Sequence, residues 1–167
     1  TLLPSLAGNF LVAALLMTVL GGTVTTQRML GWSACMGLIL SARVLAWFVQ
    51  RRRRDQRRDD RARLLWLRLA VAGTGMVWGL AGVVLFAPHD LQHQVFLAFV
   101  LAGVAAGSLT ITAFDLAAAL TFALLALAPL SVRLFASGES VQIAMANMVL
   151  LFMAFIALSG LRAHRNL

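Results

Sequence analysis

An all-α bundle of six membrane-spanning helices, with N and C termini both cytoplasmic, is the fold this sequence predicts, and three observations predict it. Apolar residues make up 61% of the 167 positions and mean hydropathy is +0.89, whereas a water-soluble domain carries a little under half apolar residues. Those residues gather into six runs of about 20, the length that crosses a hydrocarbon core of ~30 Å at ~1.5 Å per residue. Most of the basic residues lie outside the runs. Six spans with their connectors use the whole chain, so a single domain over residues 1–167 is expected.

In chain order the runs are Leu6 to Thr25, Met29 to Val49, Leu64 to Phe86, Gln94 to Thr112, Leu116 to Phe135 and Val141 to Leu161. None shows the period-two alternation of a barrel strand, so each is expected to be a helix. The first follows only Thr1 to Pro4 and has no basic n-region, which predicts a permanent span and not a cleaved signal peptide. The second leads into a basic loop over residues 50–63. Pro88 to His93 joins the third to the fourth, and Ala136 to Ser140 joins the fifth to the sixth. Ala113-Phe114-Asp115 leaves room only for a tight turn. Asp115 is placed to cap the fifth helix, and spans four and five should form an antiparallel hairpin. A weak internal echo, Phe86-Ala87 then Asp90 and Phe135-Ala136 then Glu139, suggests that spans three-four and five-six are related hairpins. A start without Met and an end just after a basic stop suggest a piece of a longer protein.

Charge sets the orientation. Eight of the fourteen basic residues, all arginine, lie between Arg51 and Arg63, and lysine is absent. Short basic loops stay on the cytoplasmic side, and ten arginines on one set of loops, with Arg162 and Arg165, face only Arg28 and Arg133 on the other. The run Arg51, Arg52, Arg53, Arg54, Arg57 and Arg58 is therefore a topological anchor that grips anionic lipid headgroups, each arginine worth ~1 kcal/mol at the surface. The net charge of +8 is too localised to indicate nucleic acid. Arginine without lysine, with much Ala, Leu and Gly, fits a GC-rich bacterial genome and a multi-pass protein of the inner membrane.

Few residues carry chemistry. Gly75 and Gly79 in the third span, and Gly103 and Gly107 in the fourth, have the GxxxG spacing that lets helix backbones approach in lipid; packing of spans three and four on each other is expected. Trp32, Trp47 and Trp66 stand near span ends, where indoles favour the headgroup region. Trp78 sits mid-span between two glycines and could line an intramembrane pocket. Polar groups deep in a span are costly and therefore mark sites: Asn147 is the strongly polar one, with Thr74, Thr110 and Thr121. Arg43 and Arg68 lie within about two turns of the inner face and can snorkel. His89 and His93, flanking Asp90, are weak metal candidates or pH-responsive loop groups. Cys35 is expected to be a small buried hydrophobe. No nucleophile-base pair, HExxH, phosphate loop or GxSxG elbow is present, so neither catalysis nor a cofactor is expected of these residues.

The pattern from Gly75-Met76-Val77-Trp78-Gly79-Leu80 through Phe86, Gln94, Phe96, Leu101-Ala102-Gly103 and Gly107 to Ala128-Pro129-Leu130 and Arg133-Leu134 resembles the N-terminal multi-span sensor modules of bacterial histidine kinases, often hybrid kinases, and of diguanylate cyclases with GGDEF outputs. The resemblance covers spans three to six. It implies an input domain whose last helix, ending Leu161-Arg162-Ala163-His164-Arg165-Asn166-Leu167, passes a signal to a cytoplasmic output domain, and a homodimer held through that domain. It also implies a small amphipathic ligand or a bilayer signal, perceived at a site that would include Trp78, Thr110 and Asn147. A small transporter or half-transporter is the alternative.

Overall fold

A computed structural model describes residues 2–22, 25–52, 60–111 and 115–165, with side chains at 7–22, 25–49, 61, 64–109 and 115–162. Six helices follow one another: α1 Leu2–Leu20, α2 Thr26–Arg52, α3 Asp60–Val84, α4 Leu91–Ile111, α5 Leu116–Ser137 and α6 Ser140–Arg165. No strand occurs among the described residues. Five helices are long and apolar enough to cross a membrane: Thr26–Val49, Leu64–Val84, Leu91–Leu109, Leu116–Ser137 and Ser140–Arg162. The apolar stretch of α1 whose side chains are described, Ala7–Leu20, is shorter, and the chain turns at Gly21 and Gly22, before the expected end of the first run. The side chains of Arg51 and Arg52, and the residues Arg53, Arg54, Arg57 and Arg58, lie outside what is described.

The outer surface is what lipid requires. Phe99 is 78% exposed, and Leu38, Met148 and Leu151 are nearly as open. Exposed apolar area on this scale is foreign to a soluble monomer. Cys35 belongs to this outer surface instead of the interior, since the buried stripe of α2 runs through Met29, Trp32 and Met36 at helical spacing. Trp47 and Trp66 are exposed near the arginine-loop end, as an interfacial belt would have them.

The interior is organised around α5. Its small residues Ala118, Ala119, Ala123 and Ala126 are buried, and it packs against α3, α4 and α6. The most extensive contact is between α3 and α5, which are not neighbours in sequence. The glycines of α3 belong to this contact and not to a pairing with α4. A Cβ on Gly75 would lie 3.0 Å from the Phe122 carbonyl oxygen, one on Gly79 would collide with the Leu125 carbonyl oxygen, and one on Gly82 would lie 3.0 Å from Leu130 Cβ. The rising order on both helices makes them run parallel. Pro129 lies inside α5 and has no N–H for the carbonyl four residues earlier, which is that of Leu125. This partnerless carbonyl is the one that rests in the space left by Gly79.

The α4 glycines behave differently. A Cβ at Gly103 or Gly107 would meet nothing within 4 Å, so their spacing brings no backbone close.

Helix ends are set by local chemistry. Asp115 caps α5 as expected, accepting from the Ala118 N–H at 3.2 Å. It also receives Arg68, whose Nε donates at 2.8 Å and whose second guanidinium nitrogen donates at 3.3 Å. Arg68 therefore does not simply snorkel; it ties α3 to the start of α5. That hydrogen bond, with help from the Ala118 N–H, holds the Asp115 carboxyl below the ordinary value. Asp90 precedes α4 and accepts from the His93 N–H at 3.1 Å. Gly138 closes α5 at φ 75°, the left-handed geometry that glycine adopts without strain.

Two predictions follow from this packing. Gly79→Ala should destabilise the protein by about 1–3 kcal/mol, the usual range for overpacking, whereas Gly103→Ala should be near neutral; thermal unfolding in detergent compares them. Because the folded Asp115 carboxyl is lowered, the stability it adds is complete above pH 3.8 and is lost as pH falls through the folded value. Asp115→Asn keeps a capping oxygen and should cost less than ~1 kcal/mol, Arg68 being half exposed, while removing the acid-side decline. Asp115→Ala should cost about 1 kcal/mol more through the lost cap, measured across a pH series.

Candidate intramembrane cavity

Several polar residues inside the bundle gather around one cavity. Trp32, expected at a span end, is 3% exposed and Trp78 is fully buried. Their rings meet edge to face with centroids 5.5 Å apart, a favoured aromatic geometry. Each indole N–H has an acceptor: Trp32 donates to the Val77 carbonyl at 2.9 Å, and Trp78 donates to Asn9 Oδ1 at 2.6 Å. Trp78 thus stands behind a wall and fixes the residue in front of it.

That residue, Asn9, lines a cavity of about 390 Å³ bounded by residues of α1, α2, α3, α4 and α5. Ligand pockets run from roughly 300 to 1,000 Å³. The lining is graded. Asn9, Arg43, Thr74 and Ser108 lie toward the arginine-loop end, and Leu15, Phe96, Phe99 and Val100 toward the other. Phe96 and Ser108 are separated by roughly 18 Å along α4 at 1.5 Å per residue. The missing side chains at Gly103 and Gly107, both lining residues, help to make the room.

The polar end has defined bonds. Thr74 donates to the Ala70 carbonyl at 2.8 Å and accepts from an Arg43 guanidinium nitrogen at 3.2 Å. Arg43 therefore turns into the bundle where snorkelling was expected. Ser108 turns its hydroxyl back to the Ala105 carbonyl at 2.7 Å. Among the described residues the arginine–carboxylate ion pair is that of Arg68 with Asp115, so no carboxylate there accompanies Arg43.

The three sequence candidates part company. Trp78 supports the cavity without lining it. The side chain of Thr110 lies outside the described set. Asn147 is exposed on α6, which contributes nothing to the cavity lining. The buried face of α6 passes through Gln142, Ala146 and Val149, and one residue beyond Ala146 a helix has turned by about 100°. Asn9 and the inward turn of Arg43 were missed. An Asn inside an apolar run was the available signal for the first; the rotation of α2 that aims Arg43 inward leaves none.

A second polar cluster sits at the far end. Gln94 donates to the Ala87 and Pro88 carbonyls at 2.8 and 3.1 Å and accepts from Gln142 at 2.9 Å, joining the α3–α4 connection to α6. His93 Nδ1 lies 2.6 Å from Asp90, and His89 is exposed. Asp90 is held below the ordinary carboxylate value, first by the His93 backbone N–H. No group of three or more His, Cys, Asp or Glu that could hold a metal occurs among the described residues.

Asn9→Leu leaves the buried Trp78 N–H without its partner, for an expected cost of about 1–3 kcal/mol. Adding Trp78→Phe to Asn9→Leu should cost less than the sum of the single changes, as a double-mutant cycle of unfolding free energies would record. No family model, curated protein or solved structure matches the chain.

Proposed function

We propose that the chain is the membrane-embedded input module of a bacterial signal-transduction protein, in which a small amphipathic ligand or a bilayer change acts at the graded cavity and the sixth helix carries the result to a cytoplasmic kinase or cyclase. In this reading α1 is a sixth span, the arginine loop and both termini are cytoplasmic, the membrane is the inner one, and the output domain holds a homodimer. The observation that carries it is the cavity itself, an apolar space ending in polar groups inside a bundle whose surface is otherwise apolar. Support for orientation comes from the ten arginines against two, and support for the output class from the resemblance of spans three to six.

A route from cavity to α6 exists in the contacts. Phe122 lines the cavity and belongs to α5, whose Leu116 side chain occupies the space over Gly160 of α6. A ligand that prefers one placement of α5 would shift that contact. Without such a preference a ligand moves no equilibrium.

In the full-length protein, Gly103→Phe should fill the cavity and remove any response of output activity to added amphipaths, with the protein still in the membrane. An unchanged response would count against the cavity as the input site. A carrier is the second reading, since an intramembrane cavity suits it equally; substrate flux through proteoliposomes of this chain would establish it over the sensor. For topology, single cysteines at positions 56 and 89, in a Cys35→Ser background, should react with an impermeant thiol reagent from opposite sides. Labelling from the same side would overturn the assigned orientation.

A further inference from the structure

We infer that the cavity takes a single-chain amphipath bearing one anionic headgroup, a carboxylate above all, with the anion on Arg43 and the chain among the apolar residues. The inference rests on the reading of the cavity as the ligand site and adds the chemical class of its occupant.

Three observations lead to it. Arg43 belongs to the membrane-spanning part of α2, six residues from its end at Val49, and its side chain lines the cavity. A guanidinium cannot lose its charge in a protein and presents five N–H donors, of which Thr74 takes one. A charge kept away from water requires an opposite charge and hydrogen bonds, and among the described residues the carboxylate at this end of the bundle, Asp115, is already held by Arg68. Thr74, whose own proton goes to the Ala70 carbonyl, accepts from Arg43 and holds the guanidinium at the cavity, so a planar anion meets a positioned cation.

The second observation is polarity. Away from Arg43 and Thr74 the lining passes to Leu15, Val100, Phe96 and Phe99, which offer nothing to a second polar group. A molecule matching that gradient has its charge at one end and a chain at the other.

Size is the third. At roughly 30 Å³ per water-sized group, a cavity of about 390 Å³ holds about a dozen heavy atoms. That suits a medium-length single chain. One acyl chain of an anionic lipid could still enter beside its headgroup, so the same chemistry reaches the site from the bilayer or from solution.

The test uses the whole chain in phosphatidylcholine nanodiscs, with decanoate, its methyl ester and decyltrimethylammonium as probes in calorimetric titrations. Decanoate should bind at least about tenfold more tightly than the ester or the cation, the scale of one charge-assisted hydrogen-bonded contact. Arg43→Gln should remove that preference while leaving ester binding unchanged, which also certifies its fold; Arg43→Lys should restore most of it. Gly103→Phe should weaken decanoate and ester alike. Nanodiscs containing phosphatidylglycerol locate the source: an apparent decanoate Kd raised several-fold in the wild type, and unchanged in Arg43→Gln, identifies the bilayer's own lipid as an occupant, and an unchanged Kd identifies a solution ligand. Both outcomes support the anionic class. Equal binding of the three probes, abolished by Gly103→Phe, would overturn the anionic inference and leave the cavity as a ligand site. Binding indifferent to Gly103→Phe, or none at all, would overturn the cavity reading with it.

Discussion

Pro129 leaves the Leu125 carbonyl without its helical partner, and Gly79 is the residue that lets α3 come close enough to receive it. The close parallel contact of α3 with α5 seats this carbonyl against the backbone of Gly79, and Gly75 and Gly82 extend the contact one turn to either side. Once those two helices are locked, α2 covers α3, and α4 and α6 cover α5. Arg68 then reaches Asp115 at the lower corner of the same pair, so an ion pair and a helix cap reinforce a contact made by small residues.

The cavity is a consequence of that arrangement. Because α5 takes the closest position against α3, α4 makes few contacts with α3 and leans on α5 instead. Its glycines then face open space. Van der Waals packing is the main force between helices in lipid, and here it is concentrated on one face of α3, leaving the other side of the bundle loosely filled. The two tryptophans close this space at the back. A T-shaped pair with both N–H groups bonded is a rigid support, and Asn9 is held by it at the cavity wall.

Much of the architecture was legible beforehand because length and polarity are properties of a segment. Five of the expected runs are helices able to span a membrane, and Asp115 caps α5 at the position read from a three-residue connector. The candidate site was far less legible. Glycine spacing says that a backbone can approach, yet it cannot say whose; Gly75 and Gly79 found α5, and Gly103 and Gly107 found a void. Asn147 looked like the deep polar residue, but its helix turns it to the outer surface, while Asn9, near the start of the chain, was turned inward.

The sequence by itself determined that the chain is helical and apolar outside, that five of its runs are helices long enough to span a membrane, and which end of the bundle bears the arginine loop. These follow from transfer of whole segments into hydrocarbon. Which polar residues share a cavity was decided only by tertiary structure, since each helix can rotate about its axis without changing its hydropathy. Side chains 31 positions apart, Arg43 and Thr74, and 69 apart, Asn9 and Trp78, meet because packing of α3 on α5 selects one set of rotations, and that choice has no signature within any single run.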